Sequence, residues 1–313
     1  DYRTNTTDEK LEEFRNQMGW LMVETQRHLG ALGLLGKEPA AEERVKKSRA
    51  IIEENERLIT IKAGETTVEL LKDKGLALKS LVMDCVSDKA LVGTLSHGFY
   101  EDIHYGADFF SGHLINVEKD GTKVCDLVSV DAEIEEFADK VRVSAVIPLK
   151  FGKLTKSYDI SLEEPRVVLR YKLKVQALEA SSLRLGIFTF NPDAFDKESL
   201  FFESTSGGDR AERFLCDNLN FDHGEPVSPT VSATNCAGAT TGEITLGDKD
   251  KGLTITSNRA ELYSVPFVKH SPVDDKYFFR LSHSIGERDE TSYWTWRGLN
   301  TISFTITPFV KSK

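Results

Sequence analysis

From Leu169 to Val175 the chain alternates strictly. Leu169, Tyr171, Leu173 and Val175 are apolar, and Arg170, Lys172 and Lys174 between them are cationic. A helix would scatter these residues around its circumference. An extended strand puts the apolar set on one face and the cations on the other. Such a segment can only be a strand with one face in a core and one in water. Similar short runs rich in β-branched and aromatic residues recur along the chain: LITIKAG, TTVELLKDKG, LALKSLVM, VRVSAVIPL, LRLGIFTF, YFFRLSHSI and NTISFTITPF. Turn residues bound them, as strands require. GEITLGDKDKGLTITS reads as a hairpin with Asp248 to Gly252 in its turn. No βαβ rhythm appears, so the prediction is a mainly β chain with a large antiparallel β-sandwich. Residues 217–242 are rich in Asn, Pro, Ser, Thr and Gly and read as a long loop.

The first 58 residues read differently. Thr6 with Glu9 fits a capping box, and Leu11, Phe14, Met18 and Leu21 recur at helical steps. Gly30 to Gly36 would end that helix, and Pro39 would open a second one carrying Val45, Ile51, Ile52 and Leu58. The expected organisation is an α-helical hairpin over 1–58 and the antiparallel sandwich over 59–313.

Charge and cysteines narrow the partners. Fifty acidic against 40 basic residues give a net charge of −10. That argues against nucleic acid, whose phosphates need a basic face. No apolar run approaches the ~20 residues that span a bilayer, and no signal peptide opens the sequence. A cytoplasmic protein is expected. Cys85, Cys125, Cys216 and Cys236 are widely spaced and make no C-x-x-C pair, so packed free thiols are expected rather than a zinc knuckle. The chain opens on Asp1 rather than Met, which suggests a processed form or part of a longer polypeptide.

Chemistry-bearing residues concentrate in LSHGFYEDIHYGADFFSGHL, Leu95 to Leu114. His97, His104 and His113 fall there beside Tyr100, Glu101, Asp102, Tyr105 and Asp108, on a backbone broken by Gly98, Gly106 and Gly112. The glycines oppose a helix, and neither helical nor extended spacing gives a zinc ligand set, so no metal and no cofactor is expected. A carboxylate beside an imidazole, such as Glu101 with His104 or His97, suits proton transfer. The plainer alternative is a satisfied polar cluster ordering a loop. Trp294 and Trp296 share one face of a strand, either as an exposed platform or as core. Gly207-Gly208-Asp209-Arg210 and Asp222-His223 read as turns or as a close backbone approach to a ligand. No Ser-His-Asp arrangement is visible.

The motifs SLVMDCVSDKALVGTLSHGFYEDIHYGADFFSGHL, LRLGIFTFNPDAF, GGDRAERFLCDNLNFDHG and FFRLSHSIGERDETSYWTWRG together resemble the C-terminal β-sandwich of glycoside hydrolases acting on α-glucans or mannosides, with glycoside hydrolase family 57 the nearest match. The resemblance implies a galactose-mutarotase-like supersandwich, with the helical segment ahead of it joining the sandwich to a catalytic barrel. The catalytic carboxylates of that family lie on the barrel. No βαβ segment precedes residue 60, so no residue here inherits their roles. The implied function is a non-catalytic accessory portion that supports or completes a substrate cleft, with an upstream barrel domain or chain and an oligo- or polysaccharide as partners. Sugars offer hydroxyls to acids and flat C–H faces to rings. On that reading His97, Tyr100, Glu101, Asp102, His104, Asp108, His113, Trp294 and Trp296 are the carbohydrate-binding candidates. The alternatives are a free-standing sugar epimerase, isomerase or lyase using the 97–113 cluster, and a structural or partner-binding module.

Overall fold

A computed structural model describes residues 17, 44–45, 47–94, 110–206, 208–222, 224–225, 235–258, 260–287 and 295–311. The chain divides into two compact units, Asp1–Glu43 and Arg44–Lys313. The second is built of antiparallel strands. In chain order they are β1 (Ile51–Glu54), β2 (Leu58–Ala63), β3 (Thr66–Leu71), β4 (Ala77–Met83), β5 (Ser87–Gly93), β6 (Ile115–Glu118), β7 (Lys123–Cys125), β8 (Ala132–Glu136), β9 (Lys140–Leu149) and β10 (Gly152–Ser161). They continue with β11 (Val167–Leu178), β12 (Ser181–Thr189), β13 (Phe201–Ser204), β14 (Glu212–Leu215), β15 (Ala237–Gly238), β16 (Glu243–Gly247), β17 (Lys251–Ser257), β18 (Val265–Val273), β19 (Lys276–Glu287) and β20 (Trp296–Val310). Three sheets result. One runs β1-β2-β3-β4-β5. A nine-stranded sheet runs β14-β13-β16-β17-β20-β11-β10-β9-β8, and a six-stranded sheet runs β15-β18-β19-β12-β6-β7.

The alternation in β11 becomes this architecture directly. Val167, Leu169, Tyr171, Leu173 and Val175 are buried, while Lys172 and Lys174 are exposed. Strand β10 pairs with β11 in unbroken register from Gly152↔Val175 to Ile160↔Val167. Tyr171 and Phe304 of the nine-stranded sheet meet Phe188 and His283 of the six-stranded sheet. Ring centroids lie 6.1 Å apart for Tyr171–Phe304, 6.3 Å for Phe188–Phe304 and 4.2 Å for His283–Phe304. Each buried aromatic or branched side chain contributes roughly 1.5–3 kcal/mol. One continuous core takes in the inner faces of all three sheets.

The β16–β17 hairpin forms where the sequence placed it. Asp248 Oδ1 accepts from the backbone N–H of Asp250 (2.9 Å) and Lys251 (3.0 Å), closing the turn. Gly247 and Gly252 face each other across it, and a Cβ on either would meet backbone at 2.2 Å.

Two expectations are corrected. The second helix of the expected hairpin is absent over its described part. Arg44 bridges to Phe137, the Val45 N–H donates to Glu136 O at 2.9 Å, and Ile51–Glu54 is strand β1 on the edge of β2. Adjacent β-branched Ile51 and Ile52 suit a strand, and pairing with β2 satisfies backbone groups that helical propensity alone would have claimed. The remainder of the expected hairpin lies outside the described residues, Gln17 apart. Cys85, read as a packed strand thiol, is exposed on the turn between β4 and β5, whereas Cys216 is buried and Cys125 and Cys236 are half-buried. Among the described residues no helix is long and apolar enough to cross a membrane.

Candidate functional site

His97, Tyr100, Glu101, Asp102, His104 and Asp108 lie outside the described residues, as does Trp294. What the structure gives is how their segment is moored. Thr94 N–H donates to Lys79 O at 2.9 Å as the chain leaves β5. At the far end Ser111 ties three elements together. Its Oγ donates to Gly93 O (2.7 Å) and accepts from Thr189 N–H (2.9 Å), and its carbonyl accepts from Leu78 N–H (2.8 Å). Gly112 follows at φ +68°, where a Cβ would sit 2.1 Å from the Tyr158 hydroxyl. Only glycine fits there without displacement.

His113 is buried, with 1% of its surface exposed. Burial, then the nearby charges of Arg280 and Lys156, hold its pKa well below the ordinary histidine value. It is therefore a neutral imidazole at pH 7. Trp296 opens β20 opposite Leu178, half-buried and packed on the core margin.

Beside His113 runs a polar seam closed to solvent. Lys156 occupies a core-face position of β10 between Leu154 and Tyr158. Its Nζ lies 2.5 Å from Asp126 Oδ2 and donates to Gly75 O at 2.8 Å. Asp126 Oδ1 accepts from Leu114 N–H at 2.8 Å. The Tyr171 hydroxyl donates to His113 O (3.4 Å) and accepts from Gly186 N–H (3.2 Å). Burial lowers the Lys156 pKa and raises that of Asp126, and each partner opposes the other's shift. The seam pins three loops to β10 and offers a ligand no entry.

The open candidate site is a cleft of about 500 Å³ at the end of β18. Three chain segments build it. The single 3-10 turn Cys216–Asn218 and the residues after it supply Asp217, Asn220, Phe221 and Asp222; Asn235 comes from the long loop, and Lys269 to Pro272 from β18. The loop is shaped by its own side chains: Asn220 Oδ1 accepts from Asp222 N–H, and Asp222 Oδ1 from Gly224 N–H, both at 3.0 Å. His270 stands at its base among rings, 5.9 Å from Phe221, 6.2 Å from Tyr277 and 6.1 Å from Phe279 between centroids. Burial lowers the His270 pKa, and Asp217 partly opposes this. The Cys216 thiol is pushed up to about 12 by burial and then by Asp217, so it is no nucleophile at neutral pH. Among the described residues no three His, Cys, Asp or Glu side chains converge as a metal site would need. Carboxylates, amides and a neutral imidazole over an aromatic floor suit an uncharged ligand dense in hydroxyls.

Sequence reasoning touched this cleft through the long loop 217–242, the motif GGDRAERFLCDNLNFDHG and Asp222-His223, but not through β18. His270, Phe221 and Asn235 come together from strands and loops up to 50 residues apart. No local spacing announces such a meeting.

The fold has known counterparts. A galactose mutarotase-like protein from Clostridium acetobutylicum is similar in structure with a TM-score of 0.50 and 11% identity, over 84% of this chain and 98% of that one. The α-N-acetylgalactosaminidase of Bifidobacterium bifidum follows at 0.48 and 8%, over 81% of this chain and 36% of that one. The galactosidase domain of an α-galactosidase-sucrose kinase gives 0.48 and 12%, over 83% and 42%. No protein-family model matches the sequence, and no curated protein does. The first likeness shows the fold: a galactose-mutarotase-like β-sandwich.

Proposed function

We propose that this chain is a carbohydrate-binding accessory portion of an enzyme acting on α-glucans or mannosides, similar to the sandwich of glycoside hydrolase family 57, with its catalytic barrel upstream or on a separate chain. The observation that carries the reading is the β18 cleft, a polar rim over Phe221 and His270 in a mutarotase-like scaffold. The ring of Phe221 would lie against a sugar's C–H face, and Asp217, Asn220, Asp222 and Asn235 would take its hydroxyls. The segment holding His97, Tyr100, Glu101, Asp102, His104 and Asp108 is proposed as a second contact, without His113, which is buried, and Trp294 and Trp296 as a third.

The test is isothermal titration of the full chain with malto-, manno- and gluco-oligosaccharides, with product assayed in the same cells. Binding without product, weakened about tenfold or more by Phe221→Ala, supports the reading. Silence across the panel overturns it. A second reading, a sugar epimerase or isomerase, is favoured by the half-buried His270 beside Asp217, an imidazole kept neutral and able to accept a proton. Turnover lost on His270→Gln would establish that reading instead.

A further inference from the structure

The outward face of the nine-stranded sheet carries a charge pattern that stability does not ask for. The cross-strand rows are fixed by register. Arg170 lies between Ser157 and Ser303, Lys172 between Thr155 and Thr301, and Lys174 between Lys153 and Leu299. Three cations therefore stand in line along β11 at intervals of about 6.6–6.8 Å, two residues per step. Lys153 directly opposes Lys174, a like-charge pair that costs stability in a sheet.

Of the acids discussed on this face, Asp159 reaches Arg170 and the others stand away from the lysines. Asp159 is held by a bidentate Arg142 (Nε to Oδ1 2.6 Å, Nη2 to Oδ2 2.7 Å), with Lys140 at 3.4 Å and Arg170 at 3.7 Å. Glu133 and Glu135 on β8 engage Arg44. Glu261 accepts from Ser303 Oγ at 2.8 Å. Lys153, Lys172 and Lys174 are exposed, and among the described residues they make no ion pair. Val146 and Leu299, two exposed apolar side chains of this face, lie in the Lys172 and Lys174 rows.

Three neighbouring lysines, Lys153, Lys172 and Lys174, with no ion pair among the described residues are unexpected in a chain of net charge −10. Two part-exposed hydroxyls, Thr155 and Thr301, flank Lys172 on this face, whereas Ser157 and Ser303 beside Arg170 are buried. A ligand matching both sets must be extended, carry repeated negative charge and present hydroxyl partners. An acidic protein segment would match the charge but supplies fewer hydroxyl partners for Thr155 and Thr301 than a sugar chain does. We infer that this face, on the far side of the sheet from the core, binds an anionic polysaccharide lying along β11. The site is separate from the β18 cleft, and it stands whether or not that cleft takes a neutral sugar.

The test titrates the full chain with a size-defined heparin oligosaccharide, a dextran of equal length and poly-glutamate, at low and at physiological salt. Heparin is expected to bind with an affinity that falls as salt rises. The triple variant Lys153→Gln, Lys172→Gln, Lys174→Gln should lose at least tenfold, and the matching Lys→Arg triple should retain binding. Unchanged melting of both variants excludes misfolding as the cause. Equal affinity of wild type and the Gln triple, or no heparin binding, overturns the inference. Poly-glutamate binding as tightly as heparin overturns it in favour of an acidic protein partner. Dextran bound in place of heparin, and insensitive to the Gln triple, would also overturn it while leaving the cleft reading intact.

Discussion

The Lys156 ammonium lies 2.5 Å from the Asp126 carboxylate, and neither side chain is exposed. Two charges so deeply placed are a costly arrangement that holds only while both are present. Removing one partner strands the other in the core, at a cost of about 3–5 kcal/mol. Lys156→Met and Asp126→Leu should each destabilise by that order. The double variant should lose clearly less than the sum of the two, a coupling read from urea unfolding. Additive losses would show that the pair is energetically idle.

Tyr158 offers a sharper contrast. Its hydroxyl is buried and has no hydrogen-bond partner among the described residues, and burial raises its pKa well above the ordinary value. Tyr158→Phe keeps the ring and removes the unpaired group, so it should leave stability unchanged or raise it by about 1 kcal/mol. A loss above that amount would show that the hydroxyl has a partner, such as an ordered water.

Gly112→Ala places a methyl 2.1 Å from that same hydroxyl, at φ +68°. It should cost more than the roughly 1–2 kcal/mol of left-handed strain alone. In the Tyr158→Phe background the excess should shrink, because the closest atom is gone and the ring carbon behind it lies at 3.4 Å. A double-mutant cycle by thermal or urea unfolding reads this directly. Zero coupling would disprove the contact.

Acid should weaken the fold through His283. Burial lowers its pKa from 6.5 to about 4, while its Nδ1 lies 3.0 Å from Gly186 O. A folded value below the unfolded one means the contribution is complete above about pH 6.5. It is lost as pH falls toward 4, and amounts to about 2–3 kcal/mol at pH 4.5. His113 acts with the same sign. Wild type should therefore lose more stability between pH 7 and 4.5 than His283→Gln does, measured by urea unfolding at each pH. Parallel losses would rule out this histidine.

The thiols should separate by reactivity. Cys85 is exposed, and Cys216 is buried with its pKa near 12. Under limiting alkylation at pH 8, peptide mapping should find Cys85 modified and Cys216 intact until the protein is unfolded. Modification of Cys216 in the native state would mean that the cleft floor opens.

The sandwich was legible because alternation is a local signal. Leu169, Tyr171, Leu173 and Val175 announce their face without help from the rest of the chain, and the β16–β17 turn is written in Asp248 and its glycines. Ile51 and Ile52 misled because their surroundings, AAEERVKKSRA before and ENERL after, favour a helix. The edge of β2 decided otherwise, and that edge is visible only in three dimensions. Lys156 looks like an ordinary strand lysine. Its partners, Asp126 and Gly75, are 30 and 81 positions away, and nothing in its own neighbours marks it as buried. His270 is equally mute in sequence, since Phe221 and Asn235 reach it from distant loops.

The ladder between β10 and β11 also guards the assembly of the chain. Its nine pairs, Gly152↔Val175 through Ile160↔Val167, carry no bulge to absorb a mistake. A slip of one position would turn Arg170, Lys172 and Lys174 inward together and push Tyr171 and Leu173 into water. Mispaired chains would thus be discarded early, before the two sheets close. The cations of β11 serve as a proofreader of folding whatever they later meet in solution.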